Sequence, residues 1–251
     1  MRRKLREKWS ALMDGLRAKL PRLSRPQRIV RNLICIPLAV LLVWLLAGGE
    51  ALTPERAFRR AENFSMIGPS ELLCEETYRY YYSTEYRWFL GETAEGYVSA
   101  KCGRTGGFPW GWYGQAVYWP RGEGATVVIR EGTKNLGMYE SAWFYVLGVP
   151  GSAVRAEVTI HSMSSGSLNG KPYDLDWLCT VYCEPNGEEL LCGLLEIQDK
   201  TSDSWQAALE EIAVSDLFSP YADIPMTVRL YDVEDTIISE ETFTYRYLGG
   251  R

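Results

Sequence analysis

From Leu33 to Gly49 the chain runs for seventeen residues without a charge, dominated by Leu, Val, Ile and Ala, directly behind a segment crowded with Arg and Lys. At about 1.5 Å per residue a helix of that length reaches roughly 25 Å, the short end of a bilayer span. Arg31 can snorkel at one end, and Ala51 and Leu52 extend the apolar run at the other. Pro37 lies about one turn in, where a membrane helix tolerates it. Residues 32–51 therefore read as a transmembrane signal anchor. Residues 1–31 hold eleven Lys/Arg and two acids, a balance of +9; residues 50–251 hold sixteen against thirty, a balance of −14. The excess of basic residues on the N-terminal side puts that end in the cytoplasm and the C-terminal part outside, a single-pass plasma-membrane placement. Arg56, Arg59 and Arg60 oppose this, but three charges do not outweigh eleven.

Three other readings of the run are weaker. A cleaved export signal has a shorter basic region, although Ala47, Gly49 and Ala51 are small enough for a peptidase. The stretch "LLAGG" resembles a lipoprotein box, but Gly49 stands where the lipid-bearing cysteine would be. A buried core helix would need a soluble domain on its N-terminal side to support.

In the tail, "KLREKWSALMDGLRAKL" repeats Leu5, Trp9, Leu12, Met13, Leu16 and Leu20 at helical spacing. This is a basic amphipathic helix over about 4–20 that can lie on anionic lipid; the rival reading is that its charges only set topology. Pro21 and Pro26 separate it from the span. Membrane lipid is thus the expected partner of both anchor and tail. The acidic remainder lacks the basic face that phosphate contacts need, which excludes nucleic acid as a partner.

Past the span, residues 52–68 form a short juxtamembrane helix, a stalk or lid. Thr53 is its N-cap, Pro54 its first residue, and Ala57, Phe58 and Ala61 share a face. Residues 69–251 form the extracytoplasmic β-rich domain. In "AVRAEVTIHS", Val154, Ala156, Val158 and Ile160 face one way and Arg155, Glu157, Thr159 and His161 the other. That alternation marks an antiparallel sheet with one buried and one wetted face. "YRYYYSTEYRWFL" (78–90) alternates similarly. Further strands are expected near 95–101, 115–119, 125–130, 141–148, 175–183, 189–198, 226–232 and 237–247, separated by glycine-rich turns. One helix interrupts them at "SDSWQAALEEIAV", with Trp205, Ala208, Leu209 and Ile212 on one stripe. The expected fold is mainly β: an antiparallel β-sandwich or open barrel with one or two short helices, behind a single N-terminal membrane helix.

Outside the membrane cysteines can pair, and five lie there: Cys74, Cys102, Cys179, Cys183 and Cys192. If Pro185 and Asn186 form a two-residue loop, Cys179 sits across from Cys192, a candidate disulfide. If Pro-Asn-Gly makes a type I turn with a glycine bulge, Cys192 faces Thr180 instead. Disulfide and free thiols both remain open, with Cys74–Cys102 a weaker pair. Cysteine spacings of this kind do not build zinc knuckles, and with His161 as the chain's one histidine no metal or cofactor is expected.

A histidine-dependent nucleophile would have to use His161, which ends a strand on its polar side, and no G-x-S-x-G elbow accompanies it. Acidic pairs such as Glu75–Glu76 and Glu210–Glu211 would suit glycoside hydrolysis only at the right separation. The segment "DVEDT" (232–236) lacks the glycine of a calcium loop and reads as a hairpin turn. The least ordinary segment is 106–124, where Phe108, Trp110, Trp112, Tyr113, Tyr118 and Trp119 stand among glycines. They form a candidate aromatic platform for an envelope glycan or protein, set against ordinary core packing. The sequence therefore points to a non-catalytic, membrane-anchored binding or structural protein of the cell envelope. The alternatives are a single-pass regulator with a sensing ectodomain, and a surface glycoside hydrolase.

Overall fold

The computed structural model describes residues 24–46, 51, 53–80, 84–104, 112–132, 134–135, 138–139, 141–187, 190–196 and 205–247. The amphipathic tail helix expected at 4–20 lies outside them. The chain divides into two compact units, Met1–Gly49 and Glu50–Arg251.

In the first unit, helix α1 runs Arg25–Leu46. The Ser24 N–H donates to Gln27 Oε1 at 3.0 Å, one half of a capping box. Pro26 falls in the first turn, where a missing N–H costs nothing, so it begins the helix instead of separating it from the tail. From Ile29 to Leu42 the large apolar side chains of α1 are exposed. Among the described residues no helix is long and apolar enough to cross a membrane. The side chains of α1 are described at 25–27 and 29–42, so its uncharged stretch is followed only from Asn32 to Leu42.

The second unit is mainly β. Its strands are β1 (Glu71–Tyr80), β2 (Thr84–Thr93), β3 (Gly96–Arg104), β4 (Trp112–Pro120), β5 (Thr126–Glu131), β6 (Lys134–Asn135) and β7 (Met138–Tyr139). They continue with β8 (Ser141–Leu147), β9 (Arg155–Leu168), β10 (Lys171–Pro185), β11 (Leu190–Glu196), β12 (Ile224–Tyr231) and β13 (Ile237–Tyr245). Two helices accompany them, α2 (Pro54–Phe64) and α3 (Trp205–Asp216). Strands β1-β2-β3-β4 form an antiparallel meander, β13-β12-β9-β10-β11-β8-β5 a seven-stranded antiparallel sheet, and β6-β7 a small hairpin. The far strand of the larger sheet returns to the smaller one, where Tyr245 stacks on Trp119 with ring centroids 6.0 Å apart. One core runs through both sheets, from Trp88, Leu90 and Tyr97 to Phe144, Val158 and Val228.

Helix α2 is neither stalk nor lid; it is a layer of the domain. The Thr53 hydroxyl accepts from the Arg56 N–H at 3.3 Å, as the cap chemistry requires. Ala57, Phe58 and Ala61 bury against the meander, and Phe58 stacks on Phe89 at 5.0 Å. Buried Glu62 accepts from the Ser70 N–H at 3.1 Å and from Arg59 at 2.9 Å, locking the helix to the start of β1. The domain therefore begins near Glu50, ahead of the boundary expected at residue 69. Because α2 covers one face of the meander and the larger sheet the other, β3 is buried almost without alternation. Strand β9 behaves as its sequence reads: Ala156, Val158 and Ile160 are buried while Arg155, Glu157, Thr159 and His161 are partly exposed. Helix α3 buries Ala213 and Val214, and the Ser162 hydroxyl donates to Asp216 Oδ2 at 3.4 Å.

Candidate functional site

Between the two sheets the described residues hold a cluster of charge around buried Arg130. Strand register sets Arg130 opposite Trp143 and Val128 opposite Tyr145, and it sets Cys192 opposite Tyr145 from the other side. Trp88 from β2 stacks on Tyr145 at 4.7 Å, and the Arg130 guanidinium lies 5.7 Å from the Trp88 ring centroid and 5.3 Å from that of Trp143. Glu76 reaches across from β1. It pairs with Arg130 and accepts from the Tyr145 hydroxyl at 2.6 Å, while Arg130 Nε donates to the same hydroxyl at 3.2 Å. Burial pushes the Tyr145 hydroxyl well above its ordinary pKa, and its bond to Glu76 adds to the shift. The guanidinium, carboxylate and hydroxyl therefore satisfy one another across the two sheets, which favours a structural clamp. Alongside, Lys101 pairs with Glu131 at a cavity of about 90 Å³ that also touches Trp88, Ser99 and Gln115. The sequence marks Glu76 only as one half of an acidic pair with Glu75. The available signal was Arg130, a charge closing the apolar run Val127–Ile129.

All six cysteines are free. The Cys179–Cys192 disulfide is not formed, because the chain reverses beyond Asn186, further along than either expectation. Glu184 pairs with Cys192 and Pro185 with Leu191, so Cys179 stands well up the strand, opposite Ile160 of β9. Cys102 lies under α2 and Cys74 beside Glu76, with Cys74 Sγ 3.8 Å from Glu76 Oε1, so the weaker pair is not formed either. Desolvation pushes the thiols of Cys74, Cys102 and Cys183 up to about 12 and that of Cys192 to about 11. Nucleophilic work needs the opposite shift. Among the described residues no group of three His, Cys, Asp or Glu is placed to hold a metal ion.

The aromatic segment does not form one flat row. Phe108 and Trp110 lie outside the described residues. Trp112 packs on the α2 side of the meander beside Ala51 and Ala116. Trp119 is buried on the opposite face, its indole N–H donating to Ser99 Oγ at 2.9 Å. Tyr118 is half-buried and Tyr113 exposed. Strand alternation splits the four described aromatics between two faces. The His161 Nε2–H donates to the carboxylate of exposed Asp176 at 2.7 Å, an ordinary surface pair.

Two further clefts are lined by described residues. One, of about 430 Å³, lies among Leu73, Tyr97, Val149, Pro150 and Leu190, with the Arg121–Glu92 pair at its rim. The other, of about 560 Å³, opens where the larger sheet splits. Strand β10 follows β9 from Lys171 to Cys183, but only Glu184 and Pro185 pair with β11. Comparison with protein-family models, with curated proteins and with solved structures finds no match.

Proposed function

We propose that the chain is a single-pass membrane protein. Its basic N-terminus lies in the cytoplasm, the uncharged run up to Gly49 is its anchor, with Ala51 already paired to Trp112 in the domain, and the β-sandwich-like unit Glu50–Arg251 works outside as a non-catalytic binding domain of the cell envelope. The observation that carries this is α1. From Ile29 to Leu42 its Ile, Val and Leu side chains are exposed to solvent, an arrangement that water penalises by about 25 cal/mol per Å² and lipid does not. The sequence stays uncharged to Gly49, and the flanking balance of +9 against −14 gives the direction. The basic tail then adds attraction to anionic lipid. A binding role for the outer unit is supported by its two open clefts, while its buried charges are occupied with one another. The ligand class is an envelope protein or glycan.

The test is fractionation followed by protease treatment of intact cells. The protein should resist alkaline carbonate extraction, and protease outside should digest residues 50–251 and spare the tail. Recovery of the intact protein in the detergent-free soluble fraction would refute the reading.

A further inference from the structure

Two apolar side chains stand out of the domain at the end of α2. Phe64 is 89% exposed and Met66 95%, more than any other large apolar side chain among the described residues. The backbone fixes both in place. The Met66 N–H donates to the Asn63 carbonyl at 3.1 Å and the Ile67 N–H to the Glu62 carbonyl at 2.9 Å, the paired bonds of a Schellman cap. Such a cap puts one residue in the left-handed region, where glycine is the usual occupant; here it is Met66, at φ 58°. Ile67 takes the inward position and packs against the cluster around Phe58 and Phe89. In water alone, glycine at 66 and a polar residue at 64 would serve the fold better. Exposed Arg56 and Arg60 precede Phe64 at intervals of four, so the three form one stripe along the helix. Arg59, by contrast, is held by Glu62 and Ser70. The exposed acids nearest in the chain lie outside the stripe, Glu55 toward Arg87 of β2 and Glu71 on β1.

We propose that this end of α2 docks on an anionic phospholipid bilayer, with Phe64 and Met66 inserted at the boundary of headgroups and acyl chains and Arg56 and Arg60 on lipid phosphates. Residues 50–251 carry a balance of −14, which such a surface repels, so a cationic stripe ending in two protruding apolar side chains selects the face that approaches it. Lipid takes Phe64 and Met66 out of water, which a soluble anion does not. The inference rests on the membrane anchor argued above. Gly49 and Pro54 are five residues apart, so the helix begins within roughly 18 Å of the point where the chain leaves the bilayer. It does not depend on which side of the membrane the domain occupies. Arg56 and Arg60, which count against an outside placement when only topology is weighed, then have a use at the membrane surface.

The test is photocrosslinking of the full-length protein in vesicles of mixed phosphatidylcholine and phosphatidylglycerol, after alkaline carbonate has shown that the anchor is inserted. Phe64→p-benzoylphenylalanine should give lipid adducts by mass spectrometry. The same replacement at Leu178, exposed on the outer face of β10, should give none. In the Phe64-labelled protein, Arg56→Glu/Arg60→Glu should lower the lipid adduct by at least about fivefold, as should vesicles of phosphatidylcholine alone, which need no variant to fold. Three results would overturn the proposal. Carbonate-resistant protein without a lipid adduct at Phe64 would leave the anchor standing and remove the docking, whereas loss of the protein to the soluble fraction would remove both. An adduct insensitive to the arginines and to lipid charge would mean that the tether alone brings Phe64 to the bilayer. An adduct to a second copy of the chain in place of lipid would mark a protein interface.

Discussion

Replacing Glu76 by Leu leaves the Arg130 guanidinium buried between the sheets without its carboxylate, and leaves the Tyr145 hydroxyl without its acceptor. Breaking a buried ion pair from one side costs about 3–5 kcal/mol. The Arg130 side chain is 5% exposed but that of Glu76 is 26% exposed, so water screens part of the interaction and the expected loss sits at the low end, about 3 kcal/mol. Arg130→Met strands a carboxylate that can still reach water, and about 2 kcal/mol is expected. The double variant Glu76→Leu/Arg130→Met removes both charges, leaving mainly the orphaned Tyr145 hydroxyl, and should lose about 2 kcal/mol instead of the additive 5. The coupling of about 3 kcal/mol is what urea unfolding of the four proteins would measure, with m unchanged. In a domain of this size, 3 kcal/mol lowers Tm by roughly 6–12 °C. Single variants within about 0.5 kcal/mol of the parent, or strictly additive losses, would show that the cluster does not clamp the sheets.

Three further outcomes follow from the packing. Phe58→Ala should cost about 3–5 kcal/mol by emptying the stack on Phe89, whereas a mere stalk helix would lose almost nothing; thermal unfolding separates the two. With Cys74, Cys102 and Cys183 moved from 9.0 to about 12, their thiolate population below pH 9 falls by about a thousandfold. Alkylation at pH 8 followed by mass spectrometry should therefore leave them unlabelled until urea is added, and prompt labelling would contradict the burial of Cys102 and Cys183 and the desolvation of half-buried Cys74. Burial holds the Asp216 carboxyl above its ordinary 3.8. A raised carboxyl favours the fold below its ordinary value, and that contribution disappears as pH rises through the folded value. Asp216→Asn should accordingly be more stable than the parent at pH 7, with the advantage gone below about pH 4. A urea midpoint lower than the parent's at pH 7 would reverse the sign.

Much of the β architecture was legible because alternation is a direct record of one wet and one dry face. Strand β9 was recovered from Arg155 to His161 on that pattern, whereas α3 was located without its buried face, since Ala213 and Val214 are buried and Trp205 is exposed. The pattern failed where both faces are dry. Phe89 and Trp88 are adjacent and both buried, one under α2 and the other between the sheets, so no period of two could mark them. β1 begins at Glu71, ahead of the tyrosine-rich run, through residues such as Glu75 and Glu76 that read as solvent-facing; the half-buried position of Glu76 depends on Arg130, far away in the chain. The β10–β11 register was missed because the choice of turn at Pro185–Gly187 moves every downstream pairing. With it went the Cys179–Cys192 bond, and the opening beside α3 could not be foreseen. Four of the six platform aromatics are divided by the same alternation that identified the strands, since neighbours on β4 such as Tyr118 and Trp119 point to opposite sides.

The layer formed by α2 also leaves a genetic signature. Under saturation mutagenesis β9 should accept polar replacements at every second codon. Strand β3, squeezed between a helix and a sheet, should reject them at nearly every position from Gly96 to Gly103. A tolerance profile along those codons would thus report whether the helix is docked in the living cell, with no structure determination needed.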